Sequence, residues 1–199
     1  MAEELAESIF DALYLTFAVV IGIYLIVKGG KGSLVRSFGI MALVLGGGDS
    51  FHLVPRAVSL WTTGLAANAA ALGIGKLITS ITMTIFYLIL YYIWRERYQI
   101  TGRKALSVTM WVLTVARIAL CAFPQNEWLS YPQPVLWGII RNIPFAIMGI
   151  LLIVLFAQEA KRANDKVFRF MWLAITLSFA FYLPVVLFAE QIPMIGMLM

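Results

Sequence analysis

The chain has 199 residues, of which 62% are hydrophobic and only 13% charged, with a formal net charge of +5. A soluble domain is nearer half apolar and a quarter charged, so this composition excludes an ordinary water-soluble globule and points to a bilayer. One cysteine (Cys121) and one histidine (His52) exclude a disulfide framework, a CxxC redox pair and a structural zinc site within a single chain.

The apolar residues fall in runs of about 20, the length that crosses about 30 Å of hydrocarbon as helix. They lack the period-two alternation of barrel strands. The expected fold is therefore all-α: a polytopic transmembrane helical bundle forming one membrane domain. Its six spans lie near residues 9–27, 37–55, 72–94, 105–123, 135–157 and 167–188. The first does not read as a cleaved leader, because Glu3, Glu4, Glu7 and Asp11 stand where a basic segment would be needed.

The connections alternate in charge. Lys28, Lys31 and Arg36 flank the first; Arg95, Arg97, Arg103 and Lys104 the third; Lys161, Arg162, Lys166 and Arg169 the fifth. Eleven of the fifteen basic residues thus sit in alternate connections. Short Lys/Arg-rich loops remain cytoplasmic, which places the N-terminus outside and makes the cytoplasmic (plasma) membrane the expected location. The basic residues are then topology determinants, and no nucleic-acid partner is expected. The tail after Glu190, Gln191 to Met199, is apolar but too short to span; it reads as a re-entrant or interfacial tail or as the start of a seventh helix, and six spans are the expectation.

Four basic residues, Arg56, Lys76, Arg117 and Arg141, lie within or beside the spans, where ionisable side chains are costly and mark function by default. Counting about 1.5 Å per residue from the basic side puts Asp49 and Arg117 each about 18 Å deep, and Arg141 about 9 Å from the opposite surface. These charges, with Lys76, share one outer layer. On helix 2, Asp49, His52 and Arg56 follow at i, i+3 and i+7, one helical face. Helix 3 carries a polar stripe, Lys76, Ser80, Thr84 and Tyr87, and helix 6 pairs Ser178 with Tyr182; such stripes are expected to face the bundle interior or a wet cavity rather than lipid. Gly46, Gly47 and Gly48 permit close approach of a backbone or a ligand, and Pro55, Pro144 and Pro184 free carbonyls in the same layer.

Counted this way, four cations face one acid, Asp49, so the missing counter-charge would arrive with a ligand. Arginine suits that task because its planar fork binds carboxylate or phosphate bidentately. The expected binding residues are Asp49, His52, Arg56, Lys76, Ser80, Arg117, Arg141, Asn142 and Tyr182. Plainer readings exist for the ionisable residues among them. Arg56 and Lys76 could snorkel to the interface, Asp49 could pair with Arg117 or Arg141 to fix helix register, and His52 could simply hydrogen-bond Asp49. Trp61, Trp94, Trp128 and Trp137 read as interface aromatics. Ser50 points away from both Asp49 and His52 on a helix, so no triad forms, and Walker A, H-E-x-x-H and EF-hand patterns are missing.

The leading expectation is a membrane protein that binds, and by extension transports, an anionic or zwitterionic small molecule or a lipid head group, with no cofactor and no metal. The runner-up is an intramembrane enzyme for a lipid or lipid-linked substrate, with Asp49 and His52 as acid and base. A non-catalytic assembly subunit is the third reading.

Overall fold

A computed structural model describes the backbone of residues 2–188 and the side chains of residues 4–182. Six α-helices follow in chain order: α1 (Ala2–Lys28), α2 (Leu34–Trp61), α3 (Ala69–Arg97), α4 (Lys104–Cys121), α5 (Val135–Arg162) and α6 (Met171–Phe188). No strand occurs among the described residues. Five helices, α1 to α5, are long and apolar enough to cross a membrane. The side-chain-described part of α6, Met171–Tyr182, is apolar but shorter than a span. Glu190 and the tail expected at residues 191–199 lie outside the described residues, as does the side chain of Pro184.

Four helices run further than the hydropathy pattern predicts, each for a local reason. α1 begins at Ala2 because its acidic first turns suit the positive end of a helix dipole, and this places Glu7 inside the helix one turn before Asp11. α2 starts at the Ser33 cap, whose hydroxyl accepts from the Arg36 amide at 3.2 Å, and continues past Pro55 to Trp61. Proline removes one intrahelical donor, freeing the Phe51 carbonyl. That carbonyl lies against Gly75 of α3, where any larger residue would collide with it. α3 and α5 each add roughly a turn of charged residues at the basic end. α6 starts later than predicted because residues 163–170 form turns organised by Asp165, which accepts from the amides of Val167 (2.9 Å) and Phe168 (3.2 Å).

Helices adjacent in sequence pack together, and α3 also meets α5. α1 packs on α2, and α2 on α3, so α3 stands between the first two helices and the α4–α6 group. The glycine triplet is divided between two neighbours: Gly46 abuts Ala18 of α1, whereas Gly48 abuts Thr82 of α3. Small residues let both helices close on α2, the usual device where lipid removes the hydrophobic drive for association. The core lies among α3 to α6, around Tyr87, Tyr91, Trp94, Phe145, Met148, Leu152, Phe156 and Phe179.

The three basic connections meet at one end. Phe38 and Phe168 rings lie 5.9 Å apart, Arg97 reaches Asp165 at 2.8 Å, and Arg103 reaches Glu159 at 3.4 Å. Trp94, expected at an interface, is a correction: it is fully buried and donates its indole N–H to the Leu155 carbonyl at 3.1 Å.

Candidate functional site

The polar residues opposite the basic end form two clusters, separated by α3. The first lies between α1 and α2. Tyr14 Oη donates to Asp49 Oδ2 at 2.6 Å, and Arg56 Nε donates to Glu7 Oε1 at 2.5 Å. Asp11 is buried beside Glu7 and Arg56, with Oδ2 lacking a partner. Trp61 Nε1 donates to Ser8 Oγ at 2.9 Å, which fixes the ends of the two helices together. Glu7, Asp11 and Tyr14 stand at i, i+4 and i+7, so α1 turns one acidic face toward α2. This corrects the charge count: Arg56 does not await a ligand anion, because α1 supplies its carboxylate.

His52 faces the other way, toward α3. It hydrogen-bonds the Leu72 backbone, and the charges of Lys76 and Arg56 act on it. Its Nδ1 is buried without a partner, and no hydrogen bond joins it to Asp49 among the described residues. The acid–base pair of the runner-up reading is therefore not assembled in this structure. Asp49 and His52 share a broad face of α2 but address different neighbours.

The second cluster lies among α3, α4, α5 and α6, around Arg117. That side chain is fully buried. Its Nη2 donates to Asn142 Oδ1 at 3.0 Å, and the guanidinium carbon lies 3.6 Å from the Phe145 ring centroid. Tyr182, Cys121 and Tyr87 place further polar atoms around it. Every one of these neighbours is neutral. Arg117 Nε and Nη1 are buried without a hydrogen-bond partner. A cation–π contact worth up to about 2 kcal/mol when desolvated offsets only part of the cost of burying a guanidinium.

The predicted stripe on α3 faces inward as expected: Ser80, Thr84 and Tyr87 are all buried. Ser80 donates to the Lys76 carbonyl and Thr84 to the Ser80 carbonyl, each at 2.7 Å, so their donors are used within the helix. Their oxygens keep accepting capacity.

A loop between α4 and α5 closes over this cluster. Asn126 Nδ2 donates to the Leu120 and Phe123 carbonyls at 2.8 Å each, and Trp128 Nε1 to the Cys121 carbonyl at 2.8 Å. These bonds satisfy carbonyls that the end of α4 leaves open. Arg141 then donates to Asn126 Oδ1 at 3.1 Å and Gln133 Oε1 at 3.4 Å, with its guanidinium carbon 4.2 Å from the Trp128 ring centroid. The Trp128 carbonyl in turn seats against Gly73 of α3.

Of the nine expected binding residues, Arg117, Asn142 and Tyr182 come together, with Arg141 above them. Ser80 lies on the inward stripe of α3. Asp49 and Arg56 belong to the α1–α2 cluster, and His52 and Lys76 to the α2–α3 face. Sequence reading takes Glu7 and Asp11 only as an acidic flank and does not weigh Tyr14, although their i, i+4, i+7 spacing is visible in the sequence. It also misses Asn126, Trp128 and Gln133, which lie in an irregular loop without periodicity. No group of three or more metal-binding side chains occurs among the described residues.

At the basic end two acids engage three of the arginines. Asp165 accepts from Arg97 Nε (2.8 Å) and Nη2 (3.0 Å), and Glu159 accepts from Arg103 and, at 2.6 Å, from Arg162. The Arg97 guanidinium, aided by two backbone amides, holds the Asp165 carboxyl well below the usual carboxylate range. Burial, with the neighbouring Asp165 charge, pushes the Tyr98 hydroxyl up to about 12.

Fold and polar interior together are compatible with an integral helical membrane protein. No family model, curated protein or solved structure matches the chain.

Proposed function

We propose that this is a six-span membrane protein, N-terminus outside, that binds an anionic or zwitterionic small molecule or lipid head group at Arg117. Transport of that ligand is the natural extension. The observation that carries the reading is a fully buried guanidinium with neutral neighbours and two unpartnered N–H groups. In low dielectric an uncompensated charge is costly, and a carboxylate or phosphate would both neutralise it and occupy those donors. Asn142 and Tyr182 would orient the anion, and Arg141 with the Asn126–Gln133 loop would form the outer cover. The α1–α2 cluster, with its carboxylates already engaging Arg56, serves helix pairing in this reading. The orientation rests on the clustering of three basic connections at one end.

The test is thermal unfolding of detergent-solubilised protein against a panel of carboxylates, phosphates and glycerophosphate esters. A bound anion at a hundred times its dissociation constant adds about 2.7 kcal/mol, a shift of several degrees. The Arg117→Ala/Arg141→Ala double variant should lose that shift. The proposal fails if no anion stabilises the wild type more than it stabilises the double variant.

A further inference from the structure

At the end opposite Arg117, α3 and α4 leave an open groove of about 560 Å³. Arg95 and Lys104 stand at its charged mouth, and Tyr92, Val108, Trp111 and Val112 line its length. Two features together mark it out: a cation fixed in place without a carboxylate, and an exposed apolar wall.

The first is charge. Arg97, Arg103 and Arg162 are engaged by Asp165 and Glu159. Arg95 and Lys104 have no carboxylate partner among the described residues. Arg95 is nevertheless held in place by neutral acceptors: its Nη1 donates to Ser107 Oγ, and its Nη2 to the carbonyls of Ile100 (3.0 Å) and Gly102 (3.2 Å). The groove thus keeps a positioned positive charge that no carboxylate among the described residues engages, with a second cation, Lys104, beside it.

The second is the wall. Val108 and Val112 are 60% and 59% exposed, and Trp111 and Tyr92 remain 48% and 43% exposed. Trp111 Nε1 donates to Tyr92 Oη at 2.8 Å and ties the two helices across the groove floor. From Lys104 to Val112 the groove follows α4 for about 12 Å at 1.5 Å per residue, from the polar end into the apolar part of the span. A soluble anion would find the cations but leave this wall bare. A phospholipid satisfies both, its phosphate at Arg95 and Lys104 and the start of an acyl chain along Val108 and Val112. Basic recesses between membrane helices favour anionic head groups, and amphipathic Trp and Tyr favour that depth.

We propose that the α3–α4 groove is a specific binding site for an anionic phospholipid of the leaflet at the basic end. It shares no residue with the Arg117 cluster, so either proposal can fail alone.

Native mass spectrometry of the delipidated full chain, titrated with phosphatidylglycerol, phosphatidylcholine or inorganic phosphate, tests it. Phosphatidylglycerol should bind at least about fivefold more tightly than phosphatidylcholine, the worth of one juxtamembrane cation. Lys104→Gln should erase about fivefold of that affinity. Val108→Trp, which fills the groove without altering charge, should weaken phosphatidylglycerol binding further. Lys28→Gln removes an exposed cation elsewhere at the same end and should leave it unchanged. Equal affinity for the two lipids, equal losses in Lys104→Gln and Lys28→Gln, or no effect of Val108→Trp would each overturn the site. Inorganic phosphate competing as well as the lipid would overturn the assignment to phospholipid.

Discussion

Arg56 and Arg117 are both buried arginines in the half of the bundle opposite the basic loops, yet they solve the same problem differently. Arg56 meets a carboxylate from another helix, Glu7 of α1. Arg117 meets an amide, an aromatic face and hydroxyls, none of which carries charge. The first arrangement is electrically closed within the chain; the second is open. An ionisable residue at membrane depth therefore marks a ligand site only after the facing helices have been searched for its counter-charge.

The contrast is sharpest in substitutions to methionine, which keeps volume and removes charge. Arg56→Met should destabilise the protein by about 3–5 kcal/mol, because the half-buried Glu7 would lose its cation while still beside the buried Asp11. Adding Glu7→Gln should recover part of that loss, with a coupling of about 1–3 kcal/mol in the double-mutant cycle. Arg117→Met should leave ligand-free stability within about 1 kcal/mol of wild type, since the lost cation–π contact is offset by removal of an uncompensated charge. Chemical unfolding in detergent measures all three. Equal losses for Arg56→Met and Arg117→Met would erase the distinction between closed and open clusters.

The clamp at the basic end calibrates what a closed pair contributes nearer to water. Asp165→Asn should cost about 2 kcal/mol at neutral pH, since it removes a bidentate, charge-assisted bond from Arg97. The folded carboxyl is held below its ordinary value of 3.8, so the charged form is what the fold stabilises. Its contribution is complete above that value and is lost as pH falls below it. The stability difference between wild type and Asp165→Asn should be flat from pH 7 down to about 5 and shrink below about 4. A difference that grows on acidification would contradict the assignment.

Tyr14→Phe is the gentlest probe. It removes one hydrogen bond to Asp49 and should cost about 1 kcal/mol, with anion-dependent stabilisation at Arg117 unchanged. Loss of that stabilisation would show that the two clusters act as one site.

The sequence alone determined the helices and the common end of their basic connections, because both follow from local quantities: apolar run length and the placement of lysine and arginine. It also assigned the α3 stripe to the interior correctly, since Ser80, Thr84 and Tyr87 share a face whatever that face meets. It could not pair the charges. The partner of Arg56 lies 49 positions away, and that of Arg117 lies 25 away on a different helix. Which helix faces which depends on rotation about each axis and on where small residues permit approach, as Gly46 and Gly48 do on opposite sides of α2. Depth along an axis is written in the sequence; direction around it was decided only by packing, and that rotation separated the expected single layer of charge into one closed cluster and one open one.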